Sequence, residues 1–289
     1  MKTTGIFSLH KFEISFKNYD EPIYLIPFGD IHRSAPLCHI EQWLNFLAWA
    51  KTKKNCYFLG MGDYDDLAST SERPFLTHSP LHDSTLQTLE KLYRENTQKL
   101  IDELSFMKDK LVGFLEGNHY AELQSGLSTT QLMAEALNCK YLGVSSFIRL
   151  ILRKEGGHKG YTHKIDLWVH HGRGGGRTSG ASINKVEQMV MSADADIYLM
   201  GHDHKKKVDM VSRLYLTDRH KKGVHLRKKD ILLGRTGSFL RGYVDGEVSY
   251  VADGAYTPAN LGVIKIEMTP KRVRKDGEER RYVSLHASI

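Results

Sequence analysis

The sequence predicts an α/β fold, and three observations carry that reading. Five apolar runs read as strands: Tyr24 to Phe28, Cys56 to Leu59, Leu111 to Leu115, Ile165 to Val169 and Ile197 to Met200. Each is followed by a short loop bearing Asp, Asn or His, as expected when loops at the ends of parallel strands converge on one site. Between the runs lie stretches with apolar residues at helical spacing.

In chain order, Leu9 to Phe16 and Ile23 to Phe28 read as two strands joined by a turn. Ile40 to Ala50 places Ile40, Trp43, Leu44, Leu47 and Ala50 on one helical face, a core stripe. The stretch after Asp63, with Pro74, His78, Pro80 and His82, reads as a loop rimming the site, its histidines at the surface. Thr85 to Met107 is one long amphipathic helix, with Leu86, Leu89, Tyr93, Leu100 and Leu104 in register. Thr129 to Leu137 is a shorter helix. Phe147 to Arg153 and Lys164 to His170 are strands joined through a hairpin at Gly156 to Gly160, and Ser182 to Ser192 is a helix. After His204 the pattern is one of short strands and turns, with Asp276-Gly277 as a tight hairpin between Val263 to Val273 and Arg280 to His286. No repeat or low-complexity linker divides the chain, so 1–289 is expected to be one domain with a basic, β-rich portion from about 205.

Composition narrows the classes. Hydrophobic residues make up 40% of 289, enough for a sizeable core. No apolar stretch approaches the roughly 20 residues of a membrane span, and the N-terminal residues lack a signal-peptide pattern. Cys38, Cys56 and Cys139 show no framework spacing, which points to a reducing, cytoplasmic setting; Cys56 reads as a small buried hydrophobe. Charge is uneven: 19 basic and 10 acidic residues fall from Lys205 to Ile289, against 22 and 24 before them. A basic surface favours polyanionic partners, nucleic acid first, with a solvated basic face as the plain alternative.

The chemistry lies in five motifs: Asp30-Ile31-His32, Gly62-Asp63, Gly117-Asn118-His119, His171-Gly172 and Gly201-His202-Asp203-His204. Carboxylate, amide and imidazole ligands without cysteine suit Mn²⁺, Fe or Zn²⁺ rather than a thiolate site. In this order the motifs resemble the calcineurin-like metallophosphoesterase superfamily, over roughly Ile23 to Ser238. The resemblance implies two stacked mixed β-sheets flanked by helices. It implies two divalent cations, Mn²⁺ first, with Fe, Zn²⁺ and Ni²⁺ as alternatives. It places Asp30, His32 and His204 on one ion, and Asn118, His171 and His202 on the other. Asp63 would bridge them, since two cations about 3.5–4 Å apart repel unless an anion lies between. His119 would contact the phosphate and protonate the leaving oxygen. The family usually has an acid after this histidine; this chain has Tyr120, leaving Asp65, Asp66 or Glu122 to orient it.

His170 and His171 are neighbours on a strand and face opposite sides, so His171, before the glycine, is taken as the ligand and His170 as a packed residue. Arg173 and Arg177, in the glycine-rich run to Gly180, could meet phosphate together with free backbone N–H groups. Lys205 and Lys206, directly after the last ligand, are further substrate-binding candidates. The Gly234 to Ser238 run resembles the family's late Gly-Ser turn near the site. The activity implied is metal-dependent phosphodiester hydrolysis by activated water, with DNA or RNA as the preferred substrate. A phosphatase or small-molecule phosphodiesterase is the alternative, and a non-catalytic binding scaffold the third reading. No partner membrane is expected, and oligomeric state is left open.

Overall fold

The computed structural model describes residues 9–78, 81–156, 162–174, 176, 178–219, 223–275 and 278–289. Two mixed sheets face each other. The first has β1 (Leu9–Phe16), β5 (Ser145–Lys154), β6 (Thr162–His170), β7 (Ile197–Met200), β9 (Gly223–Ser238) and β10 (Gly262–Val263) in that order, with β8 (Lys206–Arg219) also on β9. The second runs β12 (Glu278–Ser288), β11 (Lys265–Lys275), β2 (Ile23–Phe28), β3 (Cys56–Gly60), β4 (Leu111–Phe114). Strands β2, β3 and β4 are mutually parallel, as are β6, β7 and β9.

Three apolar clusters make four layers. Leu25, Leu59, Leu150, Leu167, Leu199 and Ile266 fill the space between the sheets. On the outer face of the second sheet, Phe28, Phe58 and Phe114 pack against α1 (Ile40–Lys51), α3 (Asp83–Leu104) and α4 (Thr129–Ala136) through Trp43, Phe46, Leu104 and Met133. On the outer face of the first, Tyr198, Ile231 and Leu233 pack against Val186 and Met189 of α5 (Ser179–Met189). Central strands are thus covered on both faces, which is why they read as continuous apolar runs rather than alternating ones.

Three expectations change in detail. The long helix ends at Leu104, and Ser105–Lys110 tightens into a 3-10 turn before β4. The stretch after Asp63 holds a further helix, α2 (Glu72–His78), with Pro74 in its first turn, where a missing N–H costs nothing. Apart from β10, the strands after His204 are long: β8 and β9 span 14 and 16 residues and pair from Lys206↔Thr236 to Arg219↔Gly223. The outer part of this ribbon exposes Leu214, Leu216, Val224 and Leu226. Apolar periodicity is a weak guide there because two-strand pairing, not burial, sets the length. The α5 helix also begins and ends three residues earlier than expected, because the Thr178 hydroxyl caps it by accepting from Ala181 N. Strands β1 and β2 lie in different sheets, so the turn between them carries the chain across the core. The β5–β6 and β11–β12 pairs are antiparallel as expected, but the turn residues Asp276 and Gly277 and the 157–160 part of the other hairpin lie outside the described residues. The C-terminal portion supplies strands to both sheets. Among the described residues, no helix is long and apolar enough to cross a membrane.

Candidate metal centre

Because β2, β3, β4, β6 and β7 end at one edge, the five motifs meet there. The loops are tied to one another by backbone bonds. Asp30 N donates to Gly62 O (2.9 Å), and Ile31 N and His32 N donate to Asp63 O (2.8 and 3.1 Å). Phe239 N (3.0 Å) and the Ser238 hydroxyl (2.8 Å) donate to Asp30 O, so the Gly234–Ser238 run lies under the site.

The side chains form three groups, Asp30 with His32 and His204, Asp63 with His171 and His202, and His32 with Asp66 and His119, each with ligand atoms within 4.8 Å. Asp63 joins the first two. Its Oδ1 accepts from Asn118 N (2.6 Å) and His119 N (2.9 Å). Its Oδ2 stands 3.2 Å from His171 Nε2 and 3.8 Å from His32 Nε2. Asn118 Oδ1 lies 2.9 Å from His171 Nε2 and 2.8 Å from His202 Nδ1, completing the second group. His171 Nδ1 donates to Met61 O (2.8 Å), which turns Nε2 towards the other ligands. His170 instead accepts at Nδ1 from Gly172 N (2.7 Å), a packing role.

Asp30 with His32, and His202 with His204, converge through left-handed rather than extended backbone. Asp30, His32, Asp63, His202 and His204 all have positive φ, between 47° and 72°. Asp20, Asn138 and Ala255 are the other described non-glycine residues with positive φ, so five of eight fall in this cluster. Gly117 is required by close approach: a Cβ would sit 2.0 Å from Asp63 Oδ1. Gly62 combines φ +98° with a Cβ position 2.5 Å from His171 Nδ1.

Asp30, His32, Asp63, His171 and His204 are buried, and among the described residues no Lys or Arg pairs with Asp30 or Asp63. The cluster therefore neutralises itself. Burial, with the charge of Asp63, pushes the Asp30 carboxyl up to about 7. Burial would also raise Asp63, but His171 and His32 hold it far below the carboxylate range. Burial pulls His171 down, and Asp63 outweighs it, leaving His171 at about 9. Burial and His171 press His202 down to about 4, and burial and His32 lower His204. Both ring nitrogens of buried His32 lack a hydrogen-bond partner. Buried carboxylates with no Lys or Arg partner among the described residues, an imidazole without a hydrogen bond at either ring nitrogen and an all O/N donor set fit metal-ion binding.

His119 Nδ1 lies 2.5 Å from Asp66 Oδ1, so Asp66, two residues past Tyr64, supplies the acid that Tyr120 does not. The His119 bond, then His32, holds the Asp66 carboxyl well below its usual range. Tyr120 has another use. The Arg73 guanidinium of α2 stacks 3.5 Å from its ring centre and donates to Asn118 O (2.5 Å) and Tyr120 O (3.0 Å), clamping the loop on both sides of His119. Arg235, fully buried, donates to Ser182 O (2.9 Å) and Gly201 O (2.8 Å) and lies 3.5 Å from Asp203, whose carboxylate also accepts from the Ser182 hydroxyl. Nothing in the sequence marks Arg73, and Arg235 was noted only as part of the Gly234 to Ser238 run, because the hydrogen bonds of both go to backbone carbonyls.

The substrate-contact candidates scatter. Lys205 lines the cavity over the site, its Nζ donating to Gly176 O. Lys206 lies along Gly237 and Gly262 instead. Arg173 is exposed and is not part of the cavity lining, and Arg177 is outside the described residues. The cavity, about 330 Å³, is lined on its polar side by His32, Asp63, Asp66, His119, His202 and His204. It also takes Leu240, Val251, Tyr256 and Ala259, which the sequence did not single out.

No protein-family profile matches the chain, and no curated protein matches it. Among solved structures, vacuolar protein sorting 29 from Cryptosporidium parvum aligns over 94% of this chain and 100% of its own, at 13% identity and a TM-score of 0.35. A likeness that faint supports no argument here.

Proposed function

We propose that this chain is a phosphoesterase that works with two divalent cations. The observation that carries it is Asp63, one carboxylate whose free oxygen faces both ligand groups while its other oxygen is pinned by two N–H donors. Asp30, His32 and His204 would hold one ion, Asn118, His171 and His202 the other. Bound there, the cations would supply Lewis acidity and charge neutralisation for a phosphoryl group.

The chain's own residues supply orientation and proton transfer. Asp66 fixes the His119 ring by accepting from Nδ1, which leaves Nε2 as the nitrogen to hold or deliver a proton at the leaving oxygen. The Arg73 clamp keeps Asn118 and His119 in register.

Diesters are the preferred class. The nucleic-acid reading rests on charge, part of which is engaged in ion pairs. Lys229 pairs with Asp194 and Asp196 (3.1 Å each), Lys228 with Asp230 (2.9 Å), Lys271 with Asp20 (2.9 Å), and Arg272 and Arg281 with Glu279. The cavity of about 330 Å³, rather than the charge, favours a small ester. The test is a side-by-side Mn²⁺-dependent assay on single-stranded DNA, duplex DNA, RNA and bis-p-nitrophenyl phosphate. Hydrolysis of at least one, abolished by chelation, is expected; full activity after verified metal removal would sink the reading.

A further inference from the structure

The reading above leaves the apolar part of the cavity unused. Leu240 and Val251 are only 8% and 7% exposed, and Tyr256 and Ala259 are half-buried beside them. The segment is held in shape. Tyr256 N donates to Val251 O (2.9 Å) at the end of α6 (Tyr250–Asp253), the Tyr243 hydroxyl donates to Tyr256 O (2.7 Å), and Ser249 bonds Gly242 O. Gly242 lies against Val251, where a Cβ would come within 2.6 Å of Cγ1. Leu240 N is fixed by the Ser238 hydroxyl (2.9 Å), the same hydroxyl that donates to Asp30 O. The wall is therefore coupled to the ligand loops rather than draped over them.

A phosphate ester has a polar end and a substituent. With phosphate at the Asp/His cluster, the substituent meets this wall. At about 330 Å³ the cavity is at the lower end of ligand pockets, roughly 300–1,000 Å³, so it admits one ring system and not a duplex. Lys205 alone among the described lysines and arginines lines it, which offers no cationic track for successive phosphates.

We propose that the cavity takes a compact phosphate ester carrying one flat apolar ring, an aryl group or nucleobase, seated on Leu240, Val251, Tyr256 and Ala259. This rests on the phosphoesterase reading for the phosphate end only. The ring recognition belongs to the wall.

The experiment separates the two. Phenylphosphonate and methylphosphonate are titrated calorimetrically into the full-length Mn²⁺-loaded protein. The phenyl compound binds about tenfold tighter, the gain from covering roughly 60 Å² of apolar surface. Tyr256→Ala and, by filling the space, Ala259→Phe each pull that ratio towards one; two opposite changes of volume guard against a folding artefact. Equal affinities in the wild type, or a ratio unmoved in both variants, overturn the proposal. In parallel, hydrolysis of methyl phosphate and phenyl phosphate, read by phosphate release, and of a single-stranded oligonucleotide is measured. Intact phenyl preference with no ester cleaved leaves the wall standing and removes the phosphoesterase reading. Cleavage of both esters with equal KM does the reverse. An oligonucleotide cleaved with kcat/KM more than tenfold above the phenyl ester also overturns the compact-substrate proposal.

Discussion

Exchanging Asp63 for asparagine barely alters shape and removes one charge where the two ligand groups meet. The amide oxygen should face Asn118 N and His119 N, since the opposite orientation sets donor against donor. Two charge-assisted bonds then become neutral, a loss of about 1 kcal/mol each. The amide nitrogen takes the place of Oδ2, between His171 and His32. Each divalent cation loses its attraction to one unit of negative charge, which at about 4 Å and an effective dielectric near 20 is about 8 kcal/mol, or roughly 10⁶-fold in affinity. Both sites should empty together. Elemental analysis after chelation and Mn²⁺ re-addition reads this directly, with Asp30→Asn and Asn118→Ala as variants that each lose one equivalent. Loss of a single equivalent from Asp63→Asn would show that the carboxylate serves one ion only, and the shared-bridge argument would fail.

His119→Ala should keep both cations yet slow turnover by roughly 10²–10⁴-fold, the range for a general acid; Asp66→Ala should slow it in the same direction, and metal loss in His119→Ala would refute the ligand assignment. Chelation should lower Tm: occupancy at 100 times Kd is worth about 2.7 kcal/mol per site, and at roughly 2 °C per kcal/mol two sites give about 10 °C. An unchanged melting curve in a thermal scan would count against any structural cation. Arg235→Leu strips Ser182 O and Gly201 O of their donor and leaves Asp203 less compensated, so urea unfolding should show a loss of about 3–5 kcal/mol. A loss under 1 kcal/mol would mean the guanidinium is not structural.

The parallel strands and their ligand loops were legible because burial on both faces writes uninterrupted apolar runs, and because each loop follows its strand without delay. The division of ligands between two ions came from the resemblance alone, and the Asp/His groups and the Asn118 contacts are arranged compatibly with it. Asp66 was one of three acids weighed; distance along the chain could not choose it, since its contact to His119 spans 53 residues. Helix α2 was missed because its two-turn length leaves no periodicity to read. The β8–β9 ribbon was read as short strands because much of its outer part is exposed, so no core-facing pattern is imposed on it. The Leu240–Ala259 wall has no motif at all: its members become neighbours only when the chain turns back after Ser238.

The positive φ values of the ligands bear on how this protein could change over time. A side chain in the left-handed region costs roughly 1–2 kcal/mol relative to glycine's freedom there. Five ligand residues sit in it. Each is thus held against the preference of its own backbone, which the proposed metal-binding role would explain. Substituting glycine at one of them removes chemistry and relieves torsion in the same step; His202→Gly in chelated protein should melt no lower than its parent, checked by calorimetry. Stability alone would favour drift at these sites towards glycine, so the fold could outlive its catalysis. Persistence of all five would then record continuing selection for the cations themselves.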